Sequence, residues 1–307
     1  IAPFDAHSAG DALRKSVTAL QQALDRHALW HYYDPEGDAQ RKRQYQLAAD
    51  VVDGLGRGEF RLLYQPRVRL IDGRIVSAEA LIRWSHPTLG EVSPAEFIPI
   101  VAGTPAIRAL TDWVIEQVCQ QQQAWEMEPL IPVSINVSAS DFEDGRLLER
   151  LLIRCAAHHV SPARFEIEIT EGEWLADNPR VLEQLSSIRQ AGIRVAIDDF
   201  GVGYSNFSYL YSIPFDVLKI DQGLVRGFLK NDRQWAMLSG VIRLSQRLDL
   251  AVVAEGVEAQ KEHEHLMAYG CGEAQGFFYA EPLPADLLRA LVNKSMGQEP
   301  FRGPMGC

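Results

Sequence analysis

Paired cysteines are the first thing this 307-residue chain lacks. Cys119, Cys155, Cys271 and Cys307 are far apart and form no C-x-x-C pair, which fits reduced thiols in a cytosolic setting. No apolar run approaches the roughly 18 residues of a membrane span, and no signal peptide opens the chain. The chain starts at Ile1, so an upstream segment, a membrane anchor included, is an expectation. Basic charge is scarce too: 30 Lys and Arg stand against 41 Asp and Glu, a net charge of −11. A general binder of long, polymeric nucleic acid would want a basic face. A small phosphorylated ligand is not excluded, because bound metals can supply the positive charge.

What is present is apolar material for one large core and a small appendage, 47% of the residues. Residues 1–38 stand apart. IAPFDA suggests a short strand, Asp11–Arg26 an amphipathic helix with Leu13, Val17, Leu20 and Leu24 on one stripe, and LWHYYDP a second strand ending at Pro35. This strand–helix–strand appendage reads as the tail of another domain or a brace. Gln40–Gly56 is a helix, within a linker at 39–58.

From Glu59 the pattern becomes strand–helix units. Strands are expected at Phe60–Val68, Ile75–Trp84, Pro132–Ser138, Arg164–Thr170, Arg194–Phe200, Phe215–Asp221, Leu250–Val257 and Ala274–Ala280, with helices between most of them. Pro94–Pro99 reads as a break. About eight such units suggest an α/β fold, a closed (β/α)8 TIM-like barrel over 59–297, followed by a tail at 298–307. The Asp72-Gly73 turn joins the first two strands tightly, so the barrel should be irregular there, with an antiparallel first strand.

The stretch RVAIDDFGVGYSN, Arg194–Asn206, is central. Asp198 and Asp199 sit where a buried strand should end, before a glycine-punctuated loop. Two like charges that close need a cation, or one pKa rises; the plainer alternative is a glycine turn with solvated acids. In a barrel the site lies at the carboxyl ends of the strands. The polar residues near those ends are Gln65; Glu79 and Arg83; Asn136; Glu168 and Glu171; Asp198 and Asp199; Lys219 and Asp221; Glu255 and Glu258; and Gln275. Buried strands seldom carry ionisable groups unless these are paired or metal-bound. Glu79, Asn136, Glu168, Asp198, Asp199 and Glu255 are hard oxygen donors without Cys or His, which favours Mg²⁺, Mn²⁺ or Ca²⁺ over zinc. Two metals about 3.5–4 Å apart would use them all, a phosphodiester-cleaving arrangement. Lys219 would hold the attacking water or neutralise phosphate charge. Arg83 suits bidentate phosphate binding, or a salt bridge to a neighbouring acid.

These motifs resemble those of the EAL family: Tyr64-Gln65-Pro66, Glu79-Ala80-Leu81-Ile82-Arg83-Trp84, Asn136, Glu168-Ile169-Thr170-Glu171, Asp198-Asp199-Phe200-Gly201, Leu218-Lys219-Ile220-Asp221, Glu255-Gly256-Val257-Glu258 and Gln275-Gly276. The resemblance covers roughly residues 40–295 and implies a cyclic di-GMP phosphodiesterase that opens the cyclic dinucleotide to linear pGpG. It implies two Mg²⁺ or Mn²⁺ ions on Glu79, Asn136, Glu168, Asp198, Asp199 and Glu255. Lys219 matches the catalytic lysine, with Glu258 a further active-site position. Gln65, Leu81, Arg83 and Gln275 match substrate contacts. Glu171 matches the residue that steadies loop Phe200–Asn206. A homodimer is a family expectation; the cytoplasmic setting follows from the unpaired cysteines. Residues 1–38 resemble the end of a GGDEF domain, as in tandem GGDEF–EAL proteins. The chain departs from the pattern at Val101-Ala102, Val202, Asn206 and Gly272, none of them a proposed ligand. A cyclic di-GMP receptor that binds without cutting, or a regulatory scaffold, is the alternative; receptors of that kind typically lose ligands that this chain keeps. His263 and His265 read as solvated, His158-His159 as a helix end, Trp113 and Trp125 as packing residues, and Cys271 as a buried small residue.

Overall fold

A computed structural model describes residues 6, 8–25, 28–125, 131–170, 178–201 and 213–296. The chain divides into two units, Ile1–Asp53 and Gly54–Cys307.

In the first unit the expected amphipathic helix is present as Ala9–Asp25, opened by Ser8, whose hydroxyl accepts from the Asp11 N–H (3.1 Å). Its stripe of Leu13, Val17, Leu20 and Leu24 is exposed. The expected second strand is absent: residues 28–34 carry no strand. Pro35 instead opens a helix, Pro35–Arg57, five residues ahead of the expected start. Asp34 caps it by accepting from the Glu36 N–H (3.1 Å), and proline, whose missing N–H costs nothing in the first turn, suits that position. The first expected strand lies outside the described residues.

In the second unit eight strands close into a barrel. Around it run β1 (Phe60–Arg69), β2 (Ile75–His86), β4 (Val133–Asn136), β5 (Phe165–Thr170), β6 (Arg194–Phe200), β7 (Val217–Ile220), β8 (Ala251–Ala254) and β9 (Glu273–Ala274), with β9 returning to β1. A short β3 (Gly90–Val92) hangs antiparallel on β2. β1 is antiparallel to both β2 and β9, while β2 and β4 to β9 pair in parallel, so the irregular start is real. The turn does this: Gly73 takes φ 69° and Asp72 accepts from the Arg74 N–H (3.2 Å). The resulting register sets Gln65 opposite Glu79.

Helices cover the barrel as expected. Pro105–Ala124, for example, has Thr104 accepting from the Ala106 N–H, buries Ile107 and Leu110, and packs Ile115, Val118 and Cys119 into the core. Pro94–Pro99 is not a break but a helix, Pro94–Val101, with Pro94 in its first turn and Phe97 and Val101 buried. The last strand ends at Ala274 instead of Ala280. Beyond it the chain turns, because Gly276 lies so close to the backbone of Val257 that no side chain fits, and Tyr279 N–H bonds back to the Gly276 carbonyl (3.0 Å). Gly276→Ala is therefore expected to lower stability by about 1–3 kcal/mol, the usual range for overpacking, measured as a shift of the urea midpoint; an unchanged midpoint would refute the close approach.

His263 is buried, not solvated, with Nδ1 3.0 Å from the Tyr279 hydroxyl. Trp113 and Trp125 pack against Phe60 and Tyr64, Cys271 is buried, and His158 closes a helix, all as expected.

Candidate active site

The carboxyl ends of the parallel strands place most of the expected residues together. Strand alternation turns every second side chain inward, so Glu168 on β5, Asp198 on β6 and Lys219 on β7 converge in the barrel mouth. Asp199 would point away from Asp198 in a regular strand. It takes φ 57°, Gly201 follows at φ 105°, and the β6–β7 register shifts between Ile197 and Phe200. That bend brings both acids to one side. Asp198, Asp199 and Glu255 offer carboxylate oxygens that all lie within 4.8 Å of one another.

Lys219 is the hub. Its Nζ lies 2.7 Å from Glu168, 2.8 Å from Glu255, 3.0 Å from Asp198 and 3.6 Å from Glu79, with the side chain 1% exposed. Glu79 is held by two amides: Asn136 Nδ2 donates to its Oε1 (2.9 Å) and Gln275 Nε2 to its Oε2 (2.7 Å). Gln275 also donates to Gln65 Oε1 (3.0 Å), and Gln65 in turn donates to the Ala280 carbonyl (3.3 Å). A cavity of about 290 Å³ opens over this network, lined in part by Gln65, Glu79, Asp198, Asp199, Lys219 and Glu255.

Four carboxylates thus surround one ammonium, with Asp199 beside Asp198 and Glu255. Burial alone would lower the Lys219 pKa, but Glu168, Glu255, Glu79 and Asp198 outweigh it and hold the lysine charged. Burial pushes Glu168 well above the usual carboxylate range, and repulsion from Glu79 and Asp198 adds to this despite Lys219. Burial, with Asp198 and Glu79, pushes Glu255 up to about 7. Glu79 moves the other way: burial opposes its charge, but Lys219, Gln275 and Asn136 favour it more. The cluster holds more negative charge than one lysine balances. Glu168 Oε1 is buried without a hydrogen-bond partner among the described residues. An all-oxygen donor set with an orphaned buried carboxylate oxygen fits a hard divalent cation.

The other expected residues are spread more widely. Leu81 and Arg83 continue the Glu79 face of β2 and are half-buried. Arg83 donates to the Ile82 carbonyl (2.8 Å) and makes no ion pair among the described residues. Glu258 sits on the cavity rim, exposed and ion-paired with Arg226. Asp221 turns away to a structural task, capping the turn of helix Gln222–Val225 through the Gly223 N–H (2.6 Å). Glu171 lies outside the described residues, as do 202–206 of the loop. Sequence reasoning passed over Gln222, Arg226 and Phe277, which also line the cavity. The Phe277 signal was available, directly after Gln275-Gly276; nothing local marks Arg226, whose partner Glu258 is 32 residues away.

Comparison with known proteins agrees with this geometry. A family model described as the EAL domain matches residues 48–282. The cyclic di-GMP phosphodiesterase PA2567 of Pseudomonas aeruginosa is 38% identical over 275 residues, 89% of this chain and 47% of that protein. The bifunctional diguanylate cyclase/cyclic di-GMP phosphodiesterase MucR, from the same organism, is 31% identical over 94% of this chain and 43% of its own length. The chain thus spans less than half the length of these curated relatives. The solved structure of the MucR phosphodiesterase in complex with c-di-GMP superposes with a TM-score of 0.74 at 33% identity, covering 79% of this chain and 99% of that one.

Proposed function

The chain belongs to the EAL-domain family, and from that premise we propose that it hydrolyses cyclic di-GMP to linear pGpG in a metal-dependent reaction. The observation that carries this reading is the over-acidic cluster around Lys219, with an orphaned carboxylate oxygen, in the mouth of the barrel. Glu79, Asn136, Glu168, Asp198, Asp199 and Glu255 would hold two Mg²⁺ or Mn²⁺ ions. Bound there, such ions neutralise phosphodiester charge and lower the pKa of the attacking water.

The chain's own groups do the rest. Lys219 keeps its proton and sits where it can hold the attacking water or a phosphate oxygen. Gln65 and Gln275 fix Glu79 through the amide chain described above. Arg83, a half-buried guanidinium with no carboxylate partner among the described residues, binds phosphate, and Leu81 beside it contacts the nucleotide. Glu258 braces Arg226 at the rim, and Glu171 supports the loop after Phe200. We place the chain in the cytoplasm as a homodimer, joined to an upstream sensory or GGDEF region. No described helix is long and apolar enough to cross a membrane.

The purified chain with Mn²⁺ or Mg²⁺ is expected to convert cyclic di-GMP to pGpG, and excess chelator to stop it, as read by chromatography of the products. Tight binding of cyclic di-GMP without product would replace this reading with a receptor.

A further inference from the structure

The interiors of TIM barrels are filled mostly by branched apolar side chains. Here Ala196, Val217 and Val253 pack together with Ala251 against them. Beneath the site there are also buried charged side chains. Arg67 is 2% exposed and Glu166 fully buried. Arg67 reaches across the barrel from β1 to β5 and grips Glu166 with both prongs of its guanidinium (Nη1–Oε1 2.7 Å, Nη2–Oε2 3.1 Å). Its Nε lies 2.9 Å from Glu273 on β9, and Arg194 on β6 approaches Glu166 from the other side at 3.4 Å.

Three of these four stand two residues from a site residue on the same strand or its continuation: Arg67 from Gln65, Glu166 from Glu168, Glu273 from Gln275. Side chains two apart on a strand share a face. The ionic layer is therefore stacked directly under the catalytic one, and the same three chain segments carry both.

We propose that Arg67 is a positioning residue for the metal-binding carboxylates: its forked grip on Glu166 and its contact to Glu273 fix the segments that carry Glu168, Gln65 and Gln275. This rests on the metal-dependent reading above. The grip is geometric as well as electrostatic. A planar guanidinium can bind a carboxylate two-pronged, which an ammonium cannot. Partners that orient metal ligands from outside typically change metal affinity by about 10–100-fold when lost, and a ligand displaced by about 1 Å lowers turnover by about 10²-fold.

The test compares wild type, R67K and the double variant R67M/E166M. Replacing a buried ion pair by apolar residues of similar size is often tolerated by the fold, and R67K keeps the charge but loses the fork. Folding is checked by circular dichroism, Mn²⁺ affinity by calorimetric titration of metal-free protein, and kcat and KM with cyclic di-GMP. The double variant is expected to bind Mn²⁺ at least about 10-fold more weakly and to lose kcat with KM little changed, with R67K in between. A folded double variant with wild-type Mn²⁺ affinity and kcat overturns the proposal, leaving the layer a purely structural core. If the double variant does not fold, R67K decides alone: wild-type affinity and kcat there overturn it too. A wild-type chain that binds no Mn²⁺ and cleaves nothing would instead overturn the functional reading.

Discussion

Lys219→Ala is expected to lower kcat for cyclic di-GMP by about 10²–10⁴-fold, the range for removing a positioned proton-bearing or charge-stabilising group, with a much smaller change in KM. The reason is location. Lys219 is nearly inaccessible and within 3.0 Å of three carboxylates. It lines the cavity that would hold the reacting phosphate, among the acids at its base. The same substitution should have a second signature. Without metal, Lys219 is the cation against which Glu79, Glu168, Asp198 and Glu255 are balanced. Breaking a buried pair by removing one partner costs about 3–5 kcal/mol, and protonation of some of these carboxylates will soften that. The metal-free variant should therefore unfold at a lower temperature than the metal-free wild type, and Mn²⁺ should raise its midpoint by more. Equal losses in kcat and in substrate affinity would point to a binding role for Lys219 instead.

Glu79→Ala should abolish hydrolysis and leave the fold intact. Glu79 is the point where β1, β2, β4 and the end of β9 are tied together: Asn136 and Gln275 donate to it, Gln275 links it to Gln65, and Lys219 lies 3.6 Å away. Its loss removes a proposed metal ligand and frees the two amides that held it, so the fall in turnover should exceed the roughly 10–100-fold in metal affinity that outer partners of metal ligands cost. Stability should fall as well. The pKa of Glu79 is lowered, so the folded site favours its charged form, and its removal leaves the Asn136 amide without its acceptor, at about 1–3 kcal/mol for a buried unsatisfied group. Relief of repulsion on Glu168 and Glu255 offsets only part of this. The metal-free midpoint is expected to be lower. Normal turnover in this variant would remove Glu79 from the metal site.

Much of this was legible in the chain. Val195, Ala196 and Ile197 read as a buried strand and are one, because a run of apolar residues without helical period has few other uses. Asp198, Glu168 and Lys219 stood out because an ion inside such a run needs a partner. The antiparallel first strand followed from Asp72-Gly73. Local reading failed where a residue has two grammars. Pro35 and Pro94 looked like endings, and each instead begins a helix, since proline is as suited to a first turn as to a stop. Gln275–Ala280 looked like strand, and a close approach of Gly276 to Val257 turned it aside.

The sequence by itself determined the strand–helix order, the barrel class and most of the polar side chains that gather in the barrel mouth, because apolar period and turn residues act over a few positions. Only the tertiary structure decided the partnerships: Arg67 with Glu166, 99 positions apart, His263 with Tyr279, Arg226 with Glu258, and Lys219 at the centre of the acids. Those depend on barrel closure and on the bend at Asp199, which choose the side chains that meet across the interior, and no local pattern encodes a distance across a barrel.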